Sequence, residues 1–158
     1  GWPRTSIAST PIKPTRENLQ NLGYNLRENK PTCPWVSRLT EKIRPENNYV
    51  VDGFRYPDQI RLFREGFKFF YLVGIDAEEE IRYQRLKDRG REGDPKNWQE
   101  FWVQDGMDRI GYLEEKGQNT RGCFSHIDHL IKNNNDLEYF KYQIDKVMEE
   151  IFNPKPKK

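Results

Sequence analysis

Tyr49-Val50-Val51-Asp52-Gly53-Phe54-Arg55-Tyr56-Pro57-Asp58-Gln59 is the stretch on which the fold turns. An apolar run ends in a carboxylate, a glycine and an arginine, and Pro57 then opens a helix. A short buried strand that delivers an acid and a guanidinium to its carboxyl end suits phosphate chemistry. Open α/β sheets place their ligands just beyond such strand ends. The stretch therefore predicts a first strand at Tyr49–Val51 and a helix from Pro57 to Glu65, closed by Gly66.

Outward from this stretch, helical and extended patterns alternate. Phe69 to Ile75 is a continuous apolar run ending in Asp76, the pattern of a strand covered on both faces. Glu78 to Arg89 and Trp98 to Ile110 read as helices, separated by a loop over Arg91 to Asn97. Gly111 to Gly122 reads as polar and loose. His129 to Ile131 is a third short strand, and Asp136 caps a last helix whose apolar residues recur at spacings of three and four. Upstream, Thr15 caps a helix with Leu19, Leu22 and Leu26 on one stripe. Pro34 opens another, carrying Trp35, Val36, Leu39 and Ile43, and Pro45 stops it. Strands alternating with helices imply a parallel sheet and an α/β class. Residues 1–14 form an irregular arm, 15–152 the folded domain and 153–158 a solvated tail.

At 158 residues the chain is long enough for a real core. Its net charge of +2 argues against a nucleic-acid partner. No apolar run approaches the roughly 20 residues of a membrane span, and Gly1 to Thr10 lacks a signal-peptide core. Cys33 and Cys123 read as free thiols, which suits a cytoplasmic protein.

Arg82, Arg85, Lys87, Arg89 and Arg91 fall within ten residues. Arg85 and Arg89 are four apart and share a helix face. Guanidinium groups on a mobile element beside a strand-end carboxylate suit phosphoryl transfer, where catalysis is mostly positioning and charge neutralisation. The competing reading is a solvated charged face. Likewise Asp52 reads alternatively as a cap for the Pro57 turn. Trp35, Trp98 and Trp102 read as packing residues rather than base-stacking platforms. Asp105 and Asp108 read as solvated carboxylates. Cys123, His126 and His129 fall at spacings of three with Asp128 between. Zinc needs four converging ligands, but His126 in a loop and His129 opening a strand need not converge, so they read as exposed or capping histidines.

The order of these motifs resembles the archaeal-type nucleotide kinase-like proteins, related to adenylate, cytidylate and dephospho-CoA kinases. The resemblance rests on Thr15-Arg16-Glu17-Asn18-Leu19, Asp52-Gly53-Phe54-Arg55 with Gln59, Arg85-Leu86-Lys87-Asp88-Arg89-Gly90-Arg91-Glu92-Gly93-Asp94-Pro95, Trp98, and Ile131-Lys132-Asn133-Asn134. It implies a three-layer α/β/α fold of the P-loop NTPase type and transfer of a phosphate from ATP, with Mg²⁺, to a nucleotide-type acceptor. The segment 15–45 would supply the acceptor-side helices, and about 89–110 the lid. Asp52 would orient the water shell of Mg²⁺. Arg85 and Arg89 would clamp the transferring phosphates. Arg16, Arg55, Arg91 and Arg109 would bind substrate phosphate, and Gln59 an acceptor base. Asn133 and Asn134 would lie beside the adenine.

One departure is large. The 158 residues contain no Gly-x-x-x-x-Gly-Lys-Ser/Thr loop. In the family's sheet the strand before that loop lies between the Tyr49 strand and the Phe69 run. Without it, two strands would keep unpaired backbone groups, each costing on the order of 1–3 kcal/mol. The expectation is a fragment lacking its N-terminal strand and loop. The alternatives are a partner chain or a second copy completing the sheet, and a non-catalytic module that binds a nucleotide or a protein.

Overall fold

The computed structural model describes Thr15, Asn18, residues 34–110 and residues 119–153, with the side chains of Pro34, Trp35 and Ile110 excepted. The arm at 1–14, Arg16, the Leu19/Leu22/Leu26 stripe, Cys33, the Trp35 side chain, the loose stretch over 111–118 and the tail beyond Asn153 lie outside these residues. The chain divides into two compact units, Gly1–Tyr49 and Val50–Lys158.

In the first unit the Asn18 N–H donates to Thr15 Oγ1 at 3.2 Å, the bond expected of a capping threonine. Helix α1 spans Pro34–Thr40. It stops short of Ile43 because the chain tightens there. The N–H groups of Lys42 and Ile43 reach back only three residues, to the carbonyls of Leu39 and Thr40.

The second unit holds helices α2 (Pro57–Gly66), α3 (Glu79–Arg89), α4 (Trp98–Ile110), α5 (Thr120–Phe124) and α6 (Leu137–Phe152), with strands β1 (Val73–Asp76) and β2 (His129–Lys132). It is a mixed α/β unit. β1 and β2 pair in parallel, Val73 opposite His129 and Asp76 opposite Lys132. Caps written in the sequence set the helix ends. Gln59 Oε1 accepts from the N–H groups of Arg55 and Tyr56 at 2.8 and 3.2 Å, holding the start of α2. Asn97 and Glu100 bond reciprocally at the start of α4. Asp136 accepts from the Tyr139 N–H at 2.8 Å to start α6. Gly90, at φ 56°, ends α3 in the left-handed region.

Three sequence expectations are corrected. Tyr49–Val51 is not a strand: it is irregular, and Val50 is 96% exposed. An extended segment becomes a strand only when a neighbour takes up its backbone groups. Among the described residues no neighbour does. The Phe69 run becomes a strand only from Val73 onward. Before that, the carbonyl of Leu72 accepts from the N–H groups of Asp128 and His129, and its N–H donates to the Asp128 carboxylate at 2.7 Å. Thr120–Phe124, straddling the stretch read as loose, is a short helix started by Asn119, whose side chain accepts from the Gly122 N–H.

Two apolar clusters result. Ile60, Leu72 and Cys123 are buried together, with Phe54, Phe70 and Ile127 packed against them. Phe101 is buried beneath Tyr83 and Trp98, with ring centroids 5.4 and 5.3 Å away. Trp98 thus packs as expected, while Trp102 is half-exposed.

Gly74 marks the tightest contact in the sheet. A Cβ there would lie 2.9 Å from Ile127 Cγ2 and 3.2 Å from a Phe124 ring carbon. Gly74→Ala is expected to destabilise the protein by about 1–3 kcal/mol through overpacking, read as a lowered urea midpoint. An unchanged midpoint would mean that Ile127 moves aside freely.

Burial also acts on Cys123, a free thiol. Desolvation pushes its pKa up from the ordinary 9.0 to about 11, against a smaller downward pull from Arg55. The folded state therefore holds the thiol proton over a window in which the unfolded chain releases it. This contribution to stability is full below about pH 9 and is lost as the pH rises towards about 11. Cys123→Ala is expected to flatten that part of the profile, measured by urea unfolding at successive pH values. A profile as steep as the parent's would refute the assignment.

Candidate functional site at the strand ends

The carboxyl ends of β1 and β2 gather charge from four elements. Parallel pairing puts Asp76 and Lys132 on the same face, and Lys132 Nζ lies 3.2 Å from Asp76 Oδ2. Arg109, in the last turn of α4, brings its guanidinium within 3.5 Å of Asp76 Oδ1. Arg82, on α3, lies 3.8 Å from the same oxygen. The side chains of Asp76 and Arg82 are largely buried, Arg109 is about one-third exposed, and Lys132 is more open.

Arg82 is the fixed member. Its Nε and one terminal nitrogen donate to the two oxygens of Asp105 at 3.1 and 2.6 Å. This is the bidentate geometry that makes arginine–carboxylate pairs strong and directional. Its other nitrogen donates to the Ala77 carbonyl, and the guanidinium lies 5.9 Å from the Phe101 ring centroid. Asp105, expected in solvent, is instead mostly buried and bonded to Arg82. Burial near a cation makes the pair a better solution than hydration.

Asparagines finish the strand ends. The Asn133 N–H donates to the Asp76 carbonyl at 2.7 Å. The Asn134 side chain accepts from the Glu78 N–H and donates to the Glu78 carboxylate. Arg85 donates to the carbonyls of Asn133 and Asn135 at 2.8 and 3.3 Å. Of the residues named from the sequence, Arg85, Arg109, Asn133 and Asn134 therefore meet here. Arg85 is exposed, yet it holds the loop after β2 through these two bonds.

The others sit elsewhere. Arg89 is bonded to Asp94, which also accepts from the Arg91 N–H. That hydrogen bond from Arg89 holds the Asp94 carboxyl below the usual carboxylate range. Asp52 is exposed, beside Gly53 at φ 94°. Among the described residues its carboxylate has no hydrogen-bond or ion-pair partner. The Arg55 carbonyl accepts from the Asn119 N–H at 3.0 Å, and Gln59 serves the start of α2. No hydrogen bond or ion pair among the described residues joins Asp52, Arg55 or Gln59 to the Asp76 cluster.

By sequence Arg82 is one of a run of cationic residues, Asp105 a solvated carboxylate and Asp76 the end of an apolar run, and no pattern joins these three to one another or to Lys132. The available signal was the carboxylate ending the Phe69 run, the same signal that drew attention to Asp52.

Two open grooves lie away from these charges. One, of about 490 Å³, runs along α4 beside Asn97, Val103 and Met107. Another, of about 370 Å³, lies between β2 and α6, beside His129, Tyr142 and Glu150. Among the described residues no three His, Cys, Asp or Glu side chains converge to hold a metal. Asp128 is bonded to Arg64, and His129 Nδ1 lies 3.3 Å from Glu150. Asp76, ringed by three cations, is a poor cation ligand. Asp52 fits a role through water, since Mg²⁺ commonly keeps several waters and takes one carboxylate plus substrate phosphates. No helix among the described residues is long and apolar enough to cross a membrane.

No protein-family model matches the chain, and no solved structure matches it. Curated relatives do. A UPF0200 protein of Hyperthermus butylicus is 30% identical over 142 residues, covering 89% of this chain and 72% of that protein. One from Pyrococcus horikoshii is 31% identical over 154 residues, covering 92% and 77%. One from Methanocaldococcus jannaschii is 28% identical over 143 residues, covering 88% and 68%. At this identity and coverage, the chain belongs to the UPF0200 family, whose matched members come from archaea.

Proposed function

We propose that this chain belongs to a nucleotide kinase-like phosphotransferase, moving a phosphate from ATP, with Mg²⁺, to a nucleotide-type acceptor. The observation that carries the reading is the convergence of Arg82, Arg109 and Lys132, from three elements, at the carboxyl end of a parallel strand. Such strand ends are where α/β sheets bind ligands, and phosphoryl transfer needs fixed cations there. Arg55 takes the acceptor phosphate, Asp52 holds Mg²⁺ through water, and Arg109 and Lys132 face the transferred group. Arg85, Asn133 and Asn134 position the loop after β2.

The sheet supports a further part of the reading. β2 has its outer edge closed at Lys132, whose backbone N–H and C=O both bond to the Gln143 side chain. Among the described residues β1 is paired on one edge only, and Ile75 remains 52% exposed. A further strand, from another segment or a second chain, pairs along β1 and brings the phosphate loop that these 158 residues lack. That same lack favours a second reading, a module that binds nucleotide without turnover.

Two measurements separate the readings. Titration calorimetry of the 158-residue chain with nucleoside monophosphates is expected to show binding, weakened about tenfold or more by Arg55→Ala at an unchanged melting temperature. Absence of binding would sink both. Phosphoryl transfer from labelled ATP is then tested with a chain that carries the phosphate-loop strand. Transfer establishes the kinase, and binding without transfer leaves the module.

A further inference from the structure

We propose that Arg109 and Lys132 form a binding site for a phosphoryl dianion, and that the Asp76 carboxylate is its built-in occupant, displaced when the ligand arrives. The inference deepens the phosphotransferase reading and rests on it for the identity of the ligand.

The three cations around Asp76 are not equivalent. Each of the three guanidinium nitrogens of Arg82 is already bonded, to Asp105 or to the Ala77 carbonyl. The side chains of Arg109 and Lys132 have Asp76 as their sole charged or hydrogen-bonding partner among the described residues. The Arg109 contact, at 3.5 Å, is an ion pair without a hydrogen bond, and the Lys132 bond is 3.2 Å long. A guanidinium and an ammonium together carry many more N–H donors than one carboxylate can accept. Their donors are therefore largely unspent, and both groups keep an open side to solvent.

Charge points the same way. Arg82 and Asp105 cancel each other, so Asp76 faces Arg109 and Lys132 with one negative charge against two positive ones. A phosphate dianion would match the pair in charge, and its several oxygens could engage both groups at once. The two cations are held by separate supports. Lys132 is fixed by its pairing opposite Asp76 and by Gln143. The end of α4 that carries Arg109 is tied to α5 by the Thr120 hydroxyl, which donates to the Asp108 carbonyl at 2.8 Å. The Asp76 side chain, by contrast, is held among the described residues through its carboxylate alone.

A carboxylate that merely braced the fold would lower stability when neutralised and leave anion binding alone. A carboxylate serving as internal competitor does the opposite. Its neutral isostere no longer pairs with the two cations as an anion does, and it removes repulsion towards the ligand.

The experiment is titration calorimetry of the 158-residue chain with inorganic phosphate at low ionic strength, for the parent and for Asp76→Asn. Asp76→Asn is expected to bind about tenfold tighter or more, and adding Arg109→Gln to it should abolish the gain. Equal or weaker binding by Asp76→Asn, or binding by neither chain, overturns the proposal. Circular dichroism establishes that the variant is folded. Should it not fold, the unmutated chain gives the answer by NMR. Phosphate should shift Arg109 Nε and Lys132 Nζ and leave Arg82 Nε in place, and unmoved Arg109 and Lys132 signals overturn the proposal. A parallel titration with a nucleoside monophosphate distinguishes the source of the group. Tighter binding than phosphate assigns an esterified phosphate, and equal binding assigns the free ion. Neither readout requires turnover, so loss of the phosphotransferase reading through absent transfer is distinct from loss of this site.

Discussion

Replacing Phe101 by alanine is expected to cost about 3–4 kcal/mol of stability and to lower the melting temperature by roughly 10 °C. Phe101 is only 2% exposed, and its ring carries the packing of two elements. Tyr83 from α3 and Trp98 from the start of α4 lean on it at 5.4 and 5.3 Å, and Arg82 lies against it at 5.9 Å. Removing the ring leaves a cavity whose walls are aromatic and held from both helices, so collapse is limited and the cost falls high in the usual range. Because the same ring supports Arg82, Phe101→Ala is also expected to weaken phosphate binding, whereas Phe101→Leu should preserve it. Chemical unfolding together with phosphate titration reads both effects. A loss of under about 1 kcal/mol would mean that the Tyr83–Trp98–Phe101 cluster closes up without it.

Arg82→Ala is the second large effect, about 2 kcal/mol and roughly 4–8 °C. The change strands Asp105, whose side chain is 19% exposed, and removes the donor to the Ala77 carbonyl. Breaking a fully buried pair costs more, but water reaches part of this one and moderates the loss. A double-mutant cycle with Asp105→Ala isolates the pair, and a coupling of about 1 kcal/mol or more is expected. Additive single effects would place the two side chains apart in solution. The cycle also bears on function, because Arg82 fixes the wall against which Asp76, Arg109 and Lys132 are arranged.

The elements that were legible in the sequence are those whose causes are local. Pro57 at the first helical position, Asp136 reaching the N–H three residues on, and Gly90 in the left-handed region each act within one turn of chain. The apolar run ending in Asp76 announced a strand and its carboxylate. The Tyr49–Val51 strand was equally plausible by pattern, yet a strand is a pairing and not a property of its own residues. Val50 therefore lies open, while Val73–Asp76 pairs with β2. Thr120–Phe124 was hidden in a polar, glycine-bearing stretch. Its helix depends on the Asn119 cap and on the burial of Cys123 against Ile60 and Leu72.

For the candidate site the same division holds at longer range. Arg85, Arg109, Asn133 and Asn134 could be named from their motifs, but their partners could not. Arg82 reaches Asp105 across 23 residues of sequence, Arg85 reaches Asn133 across 48, and Lys132 reaches Asp76 across 56. By itself the sequence determined the periodicity, the caps and the α/β class, because backbone bonding and apolar spacing act over a few residues. Only the tertiary structure decided which charges face one another, since a parallel crossover brings distant side chains together at the strand ends. Electrostatic energy depends on that separation in space and on burial, neither of which the order of residues specifies.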